Sequence, residues 1–450
     1  MFERYDIIDK KWQSLKFMMK NERDCGKMID NQVLSIRKEI IKIFTISIIH
    51  RQEYRGIIMN SKYITLINGK IVTEDTILEN SVLRIKSGYI DKIADCNEDM
   101  EYGEIIDCTG KFIMPGLIDI HSDVVENIIV PRKGIIFSNY TALSEVDKEL
   151  ASQGITTMYH SISIANSTIC NRKRTLSVKQ MIAIGDDLFK YHTEMLINHR
   201  FHARLELNTI EAYSPILERL KNGVIHELSL MNHTPGQGQY SSLEVFKVEV
   251  RKQYGDISPE RVNEIICECQ NKPLLPQYQI QNLLKTAQKN NIPIAFHDVE
   301  HETQLKFMKE NGISICEFPL NFDIAKKAHE QGFYNLVGAP NIMKNGSHNK
   351  NVSALDLIKA GYAHIICSDY YTPALLQSIF IIAQNANIPL YEAVKFSTLN
   401  PAIALGIQGE YGSIATGKRA DIIIVSNDET IPRVCKVMVN GKVKIELNYG

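Results

Sequence analysis

The sequence predicts an α/β protein: a (β/α)8 TIM-like barrel carrying a small β-sandwich built from both chain ends. Three observations lead there. Apolar strands alternate with helical stretches through residues 116–405, period-2 patterns with turn signals occupy both ends, and histidines and carboxylates fall where barrel strands finish.

Residues 1–58 read as a charged, helix-prone extension. From 59 to 115 the chain alternates apolar and polar in "ITLINGKIVTEDTILENSVLRIKSGYIDKIAD", with Asn68-Gly69 and Ser87-Gly88 as hairpin signals. Residues 406–450 have the same texture in "GSIATGKRADIIIVS" and "VCKVMVNGKV", so the two ends are expected to form one β domain. Between them lie eight apolar strands: 116–121, 154–160, 203–208, 224–231, 292–297, 313–318, 335–340 and 363–369. Helical stretches such as "QYQIQNLLKTAQKNN" and "HETQLKFMKENG" close on Asn or Gly, as helix ends prefer. No glycine-rich phosphate loop follows an early strand, which argues against a doubly wound sheet.

The 450 residues are 44% hydrophobic and 23% charged, with a formal net charge of −1. That balance points to neither a nucleic-acid coat nor a polybasic membrane anchor. Nine scattered cysteines without a C-x-x-C pair read as reduced thiols of a cytoplasmic protein. The N-terminus lacks a signal-peptide core, and the apolar run Ile40–Ile49 contains Lys42 and is half the length of a membrane span. A homo-oligomer is compatible with all of this.

"GLIDIHSD" ends the first barrel strand with His121 and Asp123 two residues apart, hence on one face. Glu206 ends the third strand, His233 follows the fourth, His297 and Asp298 end the fifth and Asp369 ends the eighth. A barrel gathers those ends at one rim. Imidazoles with carboxylates suit Zn²⁺, Mn²⁺ or Fe²⁺, as one or two ions, and such an ion lowers the pKa of its water toward about 7. Asp369, on the last strand, is placed to act as general base. The alternative for a single strand-end histidine or aspartate is a structural hydrogen bond; five strand ends together outweigh it. His160, His199 and His202 carry no spacing argument and read as core or surface histidines. "VPRKG" and "KNGSHNKNVSA" add anion-holding residue types: Arg132, Lys133, Lys344, Ser347, His348 and Asn351. A solvated surface is the competing reading for Arg132 and Lys133.

The stretches "IIDCTGKFIMPGLIDIHSD" and "NPAIALGIQGEYGSIATGKRADIIIV" resemble the two signatures of the amidohydrolase superfamily. Within it, "DIHSD" with "PRKG", "LMNHTPGQGQ", "FHD", "CEFPLNFDIAKKAH", "VGAPNIMKNGSHNKNVSA" and "CSDYYTPALLQSIF" resemble the metal-dependent hydrolases of the carbon–phosphorus lyase pathway for phosphonates. The resemblance spans about residues 62–446. It implies His121, Asp123, Glu206, His233 and His297 as metal ligands, Asp369 as the catalytic carboxylate, and a small phosphorylated ribose phosphonate as substrate. Val299 and Asn232 stand where the resembled proteins often carry aspartate. The same fold and metal would also serve a deaminase or a cyclic-amide hydrolase.

Overall fold

In the computed structural model, the described residues are 63–95, 103–132, 134–166, 176–237, 240, 242–255, 257–344, 352–427 and 431–449. Their strands are, in chain order, β1 (Tyr63–Ile67), β2 (Lys70–Val72), β3 (Ile77–Leu78), β4 (Ser81–Lys86), β5 (Tyr89–Asp95), β6 (Glu104–Asp107) and β7 (Phe112–Pro115). The barrel strands follow: β8 (Leu117–Ser122), β9 (Ile155–Ile164), β10 (Asn198–Glu206), β11 (Glu227–Met231), β12 (Ile294–His297), β13 (Ile315–Glu317), β14 (Tyr334–Gly338) and β15 (Ile365–Cys367). The chain ends with β16 (Ile422–Ser426), β17 (Arg433–Val439) and β18 (Lys442–Glu446).

The eight barrel strands pair in sequence order, all parallel. Closure comes just beyond the strand ends. Ser122 bridges Asp369 in parallel, the Asp369 amide donates to the His121 carbonyl at 3.0 Å, and the Asp123 amide donates to the Asp369 carbonyl at 3.2 Å. Two of the expected site residues, Asp123 and Asp369, therefore sit on the seam. The barrel interior is packed by Ile118, Ile120, Tyr159, Ala295, Ile315, Leu336 and Ile365. The outer faces bury Phe201, Leu205, Leu228 and Leu230 against helices. On the helix Val178–Tyr191, Gly185 is required, because a Cβ there would lie 2.2 Å from the Phe201 ring.

The chain ends form two sheets, ordered β5-β4-β1-β6 and β18-β17-β16-β7-β2-β3. Ile64, Leu83, Ile85 and Ile106 of the first share a core with Ile71, Ile113, Ile422 and Met438 of the second. The six-stranded sheet joins the two ends through the antiparallel pairing of β7 with β16, and Tyr89, on the edge of the four-stranded sheet, bridges Arg419. Ser87-Gly88 makes the expected two-residue hairpin, with Lys86 opposite Tyr89 and φ of 51° and 89°. Asn68-Gly69 does not: β1 pairs with β4 and β6, while β2 pairs with β3 and β7, so this turn carries the chain between sheets. A Cβ on Gly69 would meet Ile113 at 2.7 Å, so the glycine serves close packing there.

One barrel connection is enlarged. Between β11 and β12 the helices Leu243–Tyr254 and Pro259–Gln270 precede the usual strand-covering helix, Gln277–Lys289, and have their own core of Tyr240, Phe246, Val250, Val262 and Ile265. No helix among the described residues is long and apolar enough to cross a membrane.

Candidate metal centre

The period of two at the end of β8 aims His121 and Asp123 to one side, while a register shift against β9 between Asp119 and Ser122 takes Asp119 out of that alternation. Asp119 is fully buried and accepts from the backbone amides of Ser368 at 3.2 Å and His121 at 3.3 Å, tying β8 to the end of β15; burial pushes its carboxyl up to about 6. His121 is also buried, and its Nδ1 lies 2.8 Å from Glu317 Oε1. Burial drives the His121 pKa down to about 3 against the opposing pull of Glu317, so the ring is neutral and donates Nδ1–H to that carboxylate. Burial alone would raise Glu317. The neighbouring His121 and His202 outweigh it and hold Glu317 well below the ordinary carboxylate range, while the Ser229 hydroxyl donates to its Oε2 at 2.5 Å.

β10 presents His202, Arg204 and Glu206 on one side by the same alternation. His202 Nδ1 donates to the Ile120 carbonyl at 2.9 Å and stands 3.5 Å from Glu227 Oε2 and, through Nε2, 3.8 Å from Glu317 Oε1. Arg204 Nη2 reaches His297 Nε2 at 3.1 Å. Glu206 takes both the His233 amide at 2.9 Å and its Nδ1 at 2.7 Å, and His233 Nε2 faces Asp298 Oδ2 at 3.2 Å. Burial opposes charge on His233, but the Glu206 carboxylate and Asp298 prevail and push its pKa up to about 9 in the metal-free chain. His297 Nδ1 lies 3.1 Å from Asp298 Oδ2 without the angle of a hydrogen bond. The Phe318 ring covers His121 and His297 at centroid distances of 4.9 and 5.2 Å.

Three residues one or two positions beyond barrel strands adopt left-handed backbone: Asp298 (φ 56°), Phe318 (φ 53°) and Asp369 (φ 56°). Each still donates its amide to the neighbouring strand, to Glu317, Leu336 and His121 respectively. For non-glycine residues this conformation costs roughly 1–2 kcal/mol each. Such strain concentrates where side chains are aimed at a ligand. Burial, then the charge of Asp123, pushes the Asp369 carboxyl up to about 7.

The donor set fits a divalent cation. One ligand atom from each of His121, His297 and Glu317 lies within 4.8 Å of the other two, and the same holds for His233, His297 and Asp298 and for His202, Glu227 and Glu317. Buried atoms of these groups lack hydrogen-bond partners, His297 Nδ1, His202 Nε2 and both oxygens of Glu227, and so does Asp123 Oδ1 at the barrel seam. Unpartnered buried carboxylate oxygens are costly unless a cation or proton answers them.

Of the residues singled out from the sequence, His121, His233, His297 and Asp298 enter these groups. Glu206 holds His233, and Asp123 and Asp369 flank the site at the barrel seam. Arg132, in a bridge with Ile135, and Lys344 are both exposed. Lys133, Ser347, His348 and Asn351 lie outside the described residues. Glu317, Glu227 and Arg204 escaped sequence reasoning, and His202, read as a core or surface histidine, is a buried neighbour of the site. The available signal was a charged residue inside an apolar strand, as in "ISICEF" and "VIHELSLM".

Comparison with known proteins adds an independent line. The amidohydrolase family pattern matches residues 112–444. The alpha-D-ribose 1-methylphosphonate 5-triphosphate diphosphatase of Escherichia coli (strain K12) is 30% identical over 382 residues, 83% of this chain and 98% of that protein. A 5-methylthioadenosine/S-adenosylhomocysteine deaminase of Acetivibrio thermocellus is 24% identical over 82% of this chain and 86% of its own length. Among solved structures, molinate hydrolase superposes with a TM-score of 0.59 at 14% identity, covering 85% of this chain and 94% of that one. The N-acetylglucosamine-6-phosphate deacetylase of Pasteurella multocida gives 0.54 at 15% identity, over 85% of this chain and 99% of that one. At those identities the structural likeness speaks for the fold.

Proposed function

The chain belongs to the amidohydrolase family, and from that premise we propose that it is a metal-dependent hydrolase of alpha-D-ribose 1-methylphosphonate 5-triphosphate. It releases diphosphate and leaves the 5-phosphate on the ribose. The observation that carries this reading is the 30% identity spanning 98% of a protein with that activity. The convergent histidines and carboxylates support it.

His121, His297 and Glu317, or His233, His297 and Asp298, would hold a divalent ion, Zn²⁺, Mn²⁺ or Fe²⁺, with Asp123 beside them; His297 has one nitrogen to give and serves one ion. A bound ion supplies Lewis acidity and brings the pKa of water toward about 7. The protein's own work is positional and protolytic. Glu206 and Asp298 clamp His233, Ser229 fixes Glu317, and Phe318 covers two imidazoles and excludes water from that side. The Asp369 carboxylate takes a proton from the water that attacks the α-phosphorus. The bond from that phosphorus to the α,β-bridging oxygen breaks, and the proton passes to the departing diphosphate. An acidity near neutral, as burial gives Asp369, suits both directions of transfer. Arg132, Lys133, Lys344, Ser347, His348 and Asn351 are assigned to the phosphate chain.

A phosphorus-NMR time course with the metal-loaded protein tests the reading. Resonances of diphosphate and of the ribose 5-phosphate should grow together. An unchanged triphosphate spectrum rejects it. Ammonia release from a methylthioadenosine-type substrate would favour the deaminase reading, which the 24% identical relative keeps in view.

A further inference from the structure

Arg204 is a permanent cation on the site side of β10, between His202 and Glu206. Its charge acts on His121, His202 and Asp369. Yet among the described residues its guanidinium forms no ion pair. It donates from Nη2 to the His297 ring at 3.1 Å, and Nε is buried with no partner. Arg219, elsewhere in the chain, shows the usual alternative: its fork grips Asp186 through Nε at 2.7 Å and Nη2 at 2.6 Å. The Asp369 carboxylate feels the charge of Arg204 without forming an ion pair with it, and three other carboxylates of the site are turned to other groups. Glu206 serves His233, Glu317 serves His121 and Ser229, and Asp298 faces His233. A half-buried charge without a counter-charge in contact is costly unless a ligand completes it.

We infer that Arg204 is an anion-binding residue, and that its planar fork receives non-bridging oxygens of a diphosphate group lying against the metal centre. The chemical logic is complementary. The unpartnered carboxylate oxygens of the site call for a cation, and a guanidinium with no ion pair and an unpartnered Nε calls for an anion. A phosphoric anhydride bound beside a divalent ion supplies that anion, and arginine matches its oxygens two at a time. Arg204 would also meet the charge that gathers on the leaving diphosphate. The inference deepens the triphosphate reading and rests on it for the identity of the anion.

The test titrates inorganic diphosphate calorimetrically into the metal-loaded full chain and its Arg204→Gln and Arg204→Lys variants, with metal per chain counted by mass spectrometry. Wild type should bind. The Gln variant should bind roughly tenfold more weakly or worse, and the Lys variant should fall between, since it keeps the charge without the fork. Metal content should be equal in all three. Equal diphosphate affinity across the three proteins overturns the inference. So does a wild type that binds no diphosphate, or a loss that vanishes once metal content is restored. If the Gln variant does not fold, the Lys variant carries the comparison alone. A wrong triphosphate reading shows separately, as no turnover of the ribose substrate, because diphosphate binding is measured without turnover.

Discussion

Two histidine–carboxylate clusters meet at β10, one on each of its faces, and they differ in what they leave open. On the helix side, His160 Nε2 meets His199 Nδ1 at 2.8 Å, and His199 Nε2 meets Asp147 Oδ1 at 2.9 Å. Asp147 also accepts the amides of Leu196 and Ile197 at 2.7 and 3.1 Å, which fastens the helix Asn139–Ser152 to the start of β10. Apart from His160 Nδ1, that chain is closed on itself. On the barrel side, the same residue types leave Asp123, Glu227, His202 and His297 each with an unanswered buried atom. Residue type alone therefore does not mark a functional centre. Unsatisfied capacity, collected at strand ends whose backbone is strained, does.

The contrast can be broken most forcefully at Asp369. Asp369→Asn should lower kcat by about 10²–10⁴, the span of general acid–base catalysis, while the melting temperature holds or rises. An Asn variant that retains full turnover would remove the proton carrier from the scheme.

Asp147→Ala should act in the opposite sense. It leaves His199, the buried Ile197 amide and the half-buried Leu196 amide without an acceptor and should cost about 2–4 kcal/mol of stability by urea unfolding. Turnover per folded, metal-loaded molecule should match wild type. A drop in that turnover would make the outer cluster part of the chemistry.

Acidity separates the clusters as well. His233 has its folded pKa raised to about 9, above its ordinary value of 6.5. In the metal-free chain its contribution to stability is therefore complete below pH 6.5 and lost as pH rises through about 9. The melting temperature of metal-free protein should fall across that window, and His233→Asn should flatten the fall. Ligation needs the neutral ring, so metal binding at pH 7.5 should release protons, seen as a binding heat that varies with buffer ionisation enthalpy.

The smallest effect belongs to the rim. Lys344→Ala or Arg132→Ala should reduce kcat/KM by about tenfold, roughly 1.4 kcal/mol, if these exposed cations hold phosphate. No change in either variant would assign them to plain surface.

How far the sequence could be read follows from where each residue sits. His121, His297 and Asp369 stood out because an apolar strand ended in a polar side chain, and barrel geometry then supplied convergence across 248 positions of sequence. Glu317 did not, although it touches His121, because the apolar Phe318 follows it and extended the expected strand to 318, which placed Glu317 inside the strand and not at its end. Glu227 and His202 were hidden for the same reason: on a closed barrel an inward polar residue and an inward apolar one share the same alternation. Arg204 was masked by "ARLELN", where a charge next to leucine reads as a solvent-facing position. Asn68-Gly69 shows the converse error, since its local conformation was legible and its strand partners were not. Partners are set by the distant β7 and β16.

That pairing has a bearing on biosynthesis. β7 runs through Gly116 directly into the strand that carries His121, and its antiparallel neighbour β16 is made some 300 residues later. During translation the first metal-facing strand therefore emerges attached to a sheet still missing its mate. The long-range closure makes completion of this region a late event that follows release of the C-terminal segment from the ribosome.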